Sequence, residues 1–209
     1  MQDKRGHLIE VAEQLFGQYG FEGTSIRQLA KEAGVNIAMI SYYFGSKEKL
    51  VQAIIETKGQ RFQNYIRDLD PVENADPWRK IEKVIEFYVN MFSNNPHFQS
   101  IVFREVALAQ RSEVAESIAK MVAGNMSAIR QILEEGIQAG VFRQVDVPMT
   151  VAMMVGTIRQ ILQYRRISDQ VLTFFEPDSS EKVTESMIRD RVYAFLVDLF
   201  RQHLLIRNT

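Results

Sequence analysis

Residues 25 to 49 read SIRQLAKEAGVNIAMISYYFGSKEK, and this stretch constrains the fold more than any other part of the chain. It sets a short helix, a glycine turn and a second short helix in order, with a lysine-bearing helix start directly after. Leu29, Ala33, Val35 and Ile40 are spaced to close a small core between two crossed helices. Ala30 is small where the second helix must approach closely. Gly34 stands at the turn, where a left-handed backbone is cheap only for glycine. Asn36 can cap the second helix, its side-chain oxygen accepting from N–H groups two or three residues on. Ser25 with Gln28 three residues later fits a capping box for the first helix, and Thr24 is an equal candidate one residue earlier. Such a pair is either an ordinary helical hairpin or a unit that buries one face and offers the other to a DNA groove.

The flanking residues decide between these. HLIEVAEQLFGQYGFEGTSIRQLAKEAGV and NIAMISYYFGSKEKLVQAI resemble the N-terminal DNA-binding domain of the TetR family of transcriptional repressors. Members carry an aromatic-rich recognition helix ending in Tyr-Phe, then a Ser-Lys-Glu start to the next long helix. Here those are Tyr43-Phe44 and Ser46-Lys47-Glu48. The likeness is strong over about the first 60 residues, and beyond them only the all-helical layout matches. It implies an all-α fold of about nine helices: a three-helix head with the helix-turn-helix over residues 1–60, and a larger helical ligand-binding and dimerisation domain over 61–209. It also implies a homodimer, the last two helices forming a four-helix bundle with the partner chain. Ile158, Ile161, Leu162, Val192, Leu196 and Phe200 are the candidates, divided between that bundle and the subunit's own core.

Composition narrows the function. The 209 residues are 46% hydrophobic, enough for a core, and contain no cysteine, which excludes disulfides and thiolate metal sites. The three histidines, His7, His97 and His203, lie far apart in sequence, so no metal site and no cofactor is expected. There is no glycine-rich phosphate loop and no nucleophile paired with a base; Glu105, Glu134 and Glu135 fit solvated helix faces, so no enzyme is expected. The opening MQDKRGHLIE has no apolar core of signal length, and no apolar run reaches the roughly 20 residues that span a bilayer. A cytoplasmic location is expected.

The formal net charge is -1, so bulk charge does not point to nucleic acid. In the head, Lys4, Arg5, Arg27, Lys31, Lys47 and Lys49 are offset by Asp3, Glu10, Glu13, Glu22, Glu32 and Glu48. Affinity must then come from placed contacts, helix N-termini among them. Glu10 and Glu13 are expected to face water.

The pattern predicts a first helix over about residues 4–19, ended by Gly20, and a fourth from Ser46 to about residue 68 that links the domains. Asp76-Pro77 and Asn95-Pro96 read as N-cap and first helical residue of the fifth and sixth helices. Ser112 opens a seventh, which Gly140 closes; Asp146 and Pro148 open an eighth. Glu176-Pro177-Asp178-Ser179-Ser180 is turn chemistry, with Ser179 or Ser180 starting the last helix.

The second helix of the pair should lie in the major groove. Ile37, Met39 and Ser41 project opposite Ile40, with Ala38 at the close approach; the two apolar side chains suit thymine methyls and Ser41 can donate or accept. Many TetR members carry lysine where Ile37 stands, and this chain departs there. Tyr43 suits partial burial with Phe44, and Tyr42 suits a phosphate, unless both rings simply pack. Asn36, at the foot of this helix, belongs to the same contact set. Lys47, Thr24, Ser25 and Arg27 sit at helix starts where phosphate can be held, Arg27 being equally at home in solvent. Phe62, Tyr65, Tyr88, Phe92, Phe103 and Met121, with Arg104, Arg159 and Gln163 as polar partners, are the candidates for a pocket holding a small, largely apolar effector. The reading is a ligand-responsive repressor that binds a palindromic DNA operator as a dimer.

Overall fold

The computed structural model describes residues 3–69, 76–108, 112–163 and 184–206. They form α1 (Lys4–Tyr19), α2 (Ile26–Glu32), α3 (Ile37–Phe44), α4 (Lys47–Asp68), α5 (Pro77–Asn94), α6 (Pro96–Leu108), α7 (Ser112–Gln138), α8 (Val147–Gln163) and α9 (Glu185–Leu204). Among the described residues the one extended pairing is an isolated antiparallel bridge between Phe142 and Leu205. The fold is therefore all-α, as the sequence implies.

Local chemistry sets most helix ends. The Asp3 carboxylate accepts from Arg5 N–H at the start of α1, and Gly20 closes that helix with φ 77°. Asp76 accepts from Trp78 N–H at 2.9 Å, and Asp146 from Met149 N–H at 3.1 Å. Asn95 directly precedes Pro96, the first residue of α6, as expected, and its side-chain oxygen also accepts from the Lys58 ammonium at 2.7 Å. One start differs from expectation. The last helix begins at Glu185, with Thr184 as its cap accepting from Met187 N–H, and not at Ser179 or Ser180. The turn expected over 176–180 lies outside the described residues.

The chain divides into two compact units. The first comprises Met1–Gln63 and Asn95–Asn125. Its core joins Leu8, Ala12, Leu15 and Phe16 of α1 to Leu29, Ile40, Leu50 and Ile54, and continues through Phe98, Ile101, Val114 and Ile118 of α6 and α7. Gly17 explains how closely α1 and α6 meet. A Cβ there would fall 2.4 Å from that of His97, closer than any packed carbon pair. A glycine inside a helix costs about 1 kcal/mol against alanine, and the close approach is what it permits. The Arg104 guanidinium donates to the Phe16 carbonyl at 3.4 Å, adding a second tie between α6 and α1. Beneath them Glu13 meets Lys58 at 2.8 Å, with side chains 12% and 9% exposed. Glu13 thus does not face water: its carboxylate neutralises a lysine that α4 buries.

The second unit comprises Asn64–Asn94 and Met126–Thr209. In it α5 packs on both α8 and α9. Trp78, Ile81, Ile85, Tyr88 and Phe92 of α5 are buried, with Val151, Met154 and Ile158 of α8 and Ile188, Val192, Leu196 and Phe200 of α9. Ile158, Val192, Leu196 and Phe200 therefore belong to the subunit's own core, while Ile161 and Leu162 are half-buried. The bridge at Phe142 ties the α7–α8 turn to the end of α9. Arg143 N–H donates to the Leu204 carbonyl at 2.8 Å. The Arg143 side chain reaches both the carbonyl and the Nδ1 of His203. Burial first, and the Arg143 guanidinium second, push the His203 pKa below its ordinary value. With Nδ1 accepting from arginine, the ring proton sits on Nε2, which faces the Thr150 hydroxyl at 3.3 Å.

Candidate nucleic-acid interface

The geometry begins at the turn. Gly34 has φ 63°, and a Cβ on it would meet nothing within 4 Å, so the backbone angle alone calls for glycine. Gly34 N–H donates to the Lys31 carbonyl at 3.2 Å and Val35 N–H to the Ala30 carbonyl at 2.9 Å. This pair of bonds is the Schellman closure of α2. Two residues on, the Asn36 side chain accepts from Ala38 N–H at 2.9 Å and starts α3. Ile40 and Phe44 then point inward, 1% and 7% exposed. The opposite stripe stays uncovered: Ile37, Ala38, Ser41 and Tyr42 are exposed, and Met39 and Tyr43 flank it half-buried. Tyr42, 83% exposed, is the most open large apolar side chain among the described residues.

Not every expected contact residue lies on that surface. Ser25 is the cap of α2 and accepts from Gln28 N–H at 3.1 Å, while Arg27 is exposed on α2. Thr24 is fully buried, its hydroxyl shared between the Gly20 carbonyl at 2.8 Å and the Leu15 carbonyl at 3.2 Å. It is neither the α2 cap nor a surface donor. Lys47 also turns inward. Its ammonium donates to the carbonyls of Phe21 at 2.9 Å and Thr24 at 3.1 Å, and stands 4.0 Å above the Phe21 ring. In the loop between α1 and α2 the Phe21 carbonyl also accepts from Thr24 N–H at 3.3 Å, and Lys47 brings a second donor to it and one to the Thr24 carbonyl. Conversely, Arg5 lies with its guanidinium 5.3 Å over the Phe44 ring. This places an exposed cation by the end of α3; the basic pair Lys4-Arg5 was visible in the sequence, but no spacing rule connects it to Phe44.

The candidate effector residues divide between the two units. In the first, Phe62 is buried, Met121 packs over Gly59, Arg104 is engaged with α1, and Phe103 is 46% exposed. In the second, Tyr88 and Phe92 are buried in the core, Arg159 is exposed, and the Tyr65 ring meets that of Phe87 at 4.9 Å, tilted by 38°. The side chain of Gln163 lies outside the described set. None of them lines the described cleft of about 340 Å³ beside α5 and α9, which Glu86, Val89, Asn90, Arg189, Asp190 and Tyr193 form. Burial, with the Glu86 carboxylate nearby, raises the pKa of both Tyr65 and Tyr193, so both phenols remain protonated donors. Among the described residues no cluster of histidine, aspartate and glutamate is arranged to hold a metal ion, and no helix is long and apolar enough to cross a membrane.

Comparison with known proteins agrees with this geometry. Residues 8–54 match the profile of the bacterial regulatory proteins of the tetR family, and residues 77–194 that of a tetracyclin repressor-like C-terminal domain. The chain is 28% identical over 151 residues to the HTH-type transcriptional repressor NicS of Pseudomonas putida, covering 72% of this chain and 70% of that one. It is 26% identical over 164 residues to the fatty acid metabolism regulator protein of Bacillus subtilis, covering 78% and 84%. The crystal structure of FadR from Bacillus subtilis in complex with stearoyl-CoA has the same fold, with a TM-score of 0.67 and 23% identity over 92% of this chain and 97% of that one. These relatives are transcription regulators and not enzymes.

Proposed function

The chain belongs to the TetR family of bacterial transcriptional regulators, and from that premise we propose that it is a cytoplasmic repressor, bound as a dimer to a near-palindromic operator and released by a small, largely apolar effector. The observation that carries this is the uncovered stripe of α3. Ile37, Ala38, Ser41 and Tyr42 stand open while Ile40 and Phe44 lock the helix to the head. A helix held from behind and bare in front suits insertion into a major groove. In this reading residues 1–60 are the DNA-binding part and 61–209 the ligand-binding and dimerisation part, with α6 and the first half of α7 packed in the same compact unit as the head.

One three-helix head covers few base pairs, and a two-fold dimer doubles the reach. Supporting a dimer are two open stripes on the last two helices. Met149, Ala152 and Gly156 of α8 are exposed, as are Met187, Ala194 and Phe195 of α9. The small residues let a partner helix come close.

The effector class rests on the supply of aromatic and methionine side chains from α4 to α8. The name of the fatty acid metabolism regulator and the stearoyl-CoA bound in the FadR crystal structure support an acyl thioester as the first probe. Release requires the effector to prefer the conformation that does not bind DNA, since equal affinity for both shifts nothing.

Selection of bound duplexes from random DNA, followed by footprinting, tests the reading. A short, dyad-symmetric protected site is expected, and stearoyl-CoA is expected to release it. Protection without sequence preference would indicate an architectural protein, and no protection an adaptor. A selected site that stearoyl-CoA leaves occupied would overturn the acyl thioester but not the operator.

A further inference from the structure

Resting on the DNA-binding reading above, we propose that the head reads its half-site through C5 methyl groups in the major groove, accepting 5-methylcytosine where thymine stands and binding uracil there more weakly. The argument starts from what α3 lacks. Its sequence, IAMISYYF, holds no arginine, lysine, amide or carboxylate. Guanine is ordinarily read by a bidentate arginine or lysine, adenine by a bidentate asparagine or glutamine, and cytosine by a carboxylate. None of these is available from the helix itself.

Of the polar groups flanking α3, the Arg5 guanidinium lies over the Phe44 ring at the C-terminal end of the helix, and the two residues that bracket the helix in sequence, Asn36 and Lys47, are already engaged. Reading adenine needs the amide oxygen to accept from N6 while the amide nitrogen donates to N7. The Asn36 oxygen instead accepts from Ala38 N–H at 2.9 Å as the cap of α3. The Lys47 ammonium is turned onto the Phe21 and Thr24 carbonyls. What α3 leaves bare is Ile37, 42% exposed, with Ala38 and the hydroxyls of Ser41 and Tyr42. Ile37 and Ala38 stand at the N-terminal end of α3, the end with which recognition helices contact base edges.

An isoleucine at that end gains from DNA only by covering apolar surface, and in the major groove that surface is the methyl of thymine. Cytosine methylated at C5 carries the same group in the same groove. Uracil differs from thymine by that methyl alone, so it isolates the contact without altering any hydrogen bond.

The experiment uses the full chain and a duplex recovered by selection from random DNA. Each thymine of a half-site is replaced in turn by uracil, and each T·A pair by C·G with or without a C5 methyl. At one or two positions uracil should weaken binding about fourfold, the worth of one buried methyl-sized group. Unmethylated C·G should weaken binding there, and 5-methylcytosine should recover about fourfold. Ile37→Ala should lower affinity for the thymine duplex about fourfold and make thymine and uracil equal at its position, a coupling that a loss of fold does not produce. Equal affinity for thymine and uracil throughout the half-site, or an Ile37→Ala loss that is the same on both duplexes, would overturn the methyl reading alone. Recovery of no sequence-selective duplex would overturn it together with the operator reading on which it rests.

Discussion

The ammonium of Lys47 sits on two main-chain carbonyls and an aromatic face, so it holds the α1–α2 loop closed from within. Lys47→Ala removes the ammonium donor from the carbonyls of buried Phe21 and Thr24, the former keeping Thr24 N–H at 3.3 Å, and stability should fall by about 1–3 kcal/mol. Urea titration checks this, and the salt dependence of DNA binding separates it from a phosphate role. A lysine that neutralises a phosphate takes about one unit off the slope of log affinity against log salt when removed; here the slope should hold. The buried pair of Glu13 and Lys58 makes a stronger case. Glu13→Ala strands an ammonium 9% exposed, which should cost about 3–5 kcal/mol. Replacing both residues, as in Glu13→Leu with Lys58→Met, should restore most of that loss. A double variant as unstable as Glu13→Ala would mean that the pair does more than neutralise itself. These residues also mark what the sequence could show. Ser25, Asn36, Asp76 and Asp146 were legible as caps because each cap oxygen and the N–H that donates to it lie within three residues. Glu13 and Lys47 were not, because their partners lie 23 to 45 residues away in the chain, and Thr24 was not, because its hydroxyl turns back to the carbonyls four and nine residues before it and not forward to a helix start.

At the scale of elements, helix positions follow from apolar periodicity and end signals, and α1, α4, α5 and α8 fall where the pattern puts them. The start of α9 was misread because Ser179 and Ser180 offer the same cap chemistry as Thr184, and only the fold chooses among them. The seat between α1 and α6 was invisible for another reason: Gly17 looks like a mere weak point in a helix until His97 is seen against it. The joint between the α7–α8 turn and the end of α9 carries a pH dependence. Burial and the Arg143 charge hold His203 below its ordinary pKa of 6.5, so folding favours the neutral ring. Well above that value the ring is neutral in both folded and unfolded chains, and the contribution is complete. As the pH falls through it, the unfolded chain takes up the proton first and stability drops, levelling once the folded ring protonates too. Between about pH 8 and about pH 5.5, on either side of the unperturbed histidine value, the wild type should therefore lose more stability than His203→Gln. Urea midpoints of both proteins at both pH values measure it, and equal losses would show that His203 contributes nothing.

For the molecule as a whole, the question is which faces of the last two helices remain for a partner once the subunit has built its own core. The residues with the strongest apolar spacing, Ile158, Val192, Leu196 and Phe200, are buried within the subunit. Periodicity finds an apolar stripe but does not say whose interior it fills, and the own-core stripe is the more regular of the two. The remaining face carries Phe195, 54% exposed, and Met187, 45% exposed, on α9, with Met149, 64% exposed, beside Ala152 and Gly156 on α8. An isologous contact places each of these against its counterpart's face, so a single charge there enters the interface twice. Phe195→Glu should leave the folded subunit intact, since the side chain takes little part in its core, and should convert a dimer to a monomer in sedimentation. Operator affinity should fall by at least about a hundredfold, because joining two heads on one site gains roughly 10²–10⁴ over either alone. Val122→Glu, at an open apolar residue of the other compact unit, 41% exposed, is the control and should preserve the dimer. A Phe195→Glu protein that still sediments as a dimer would move the interface off this face. One that becomes monomeric yet binds the operator as tightly would show that a single head suffices, and the palindrome would lose its physical reason.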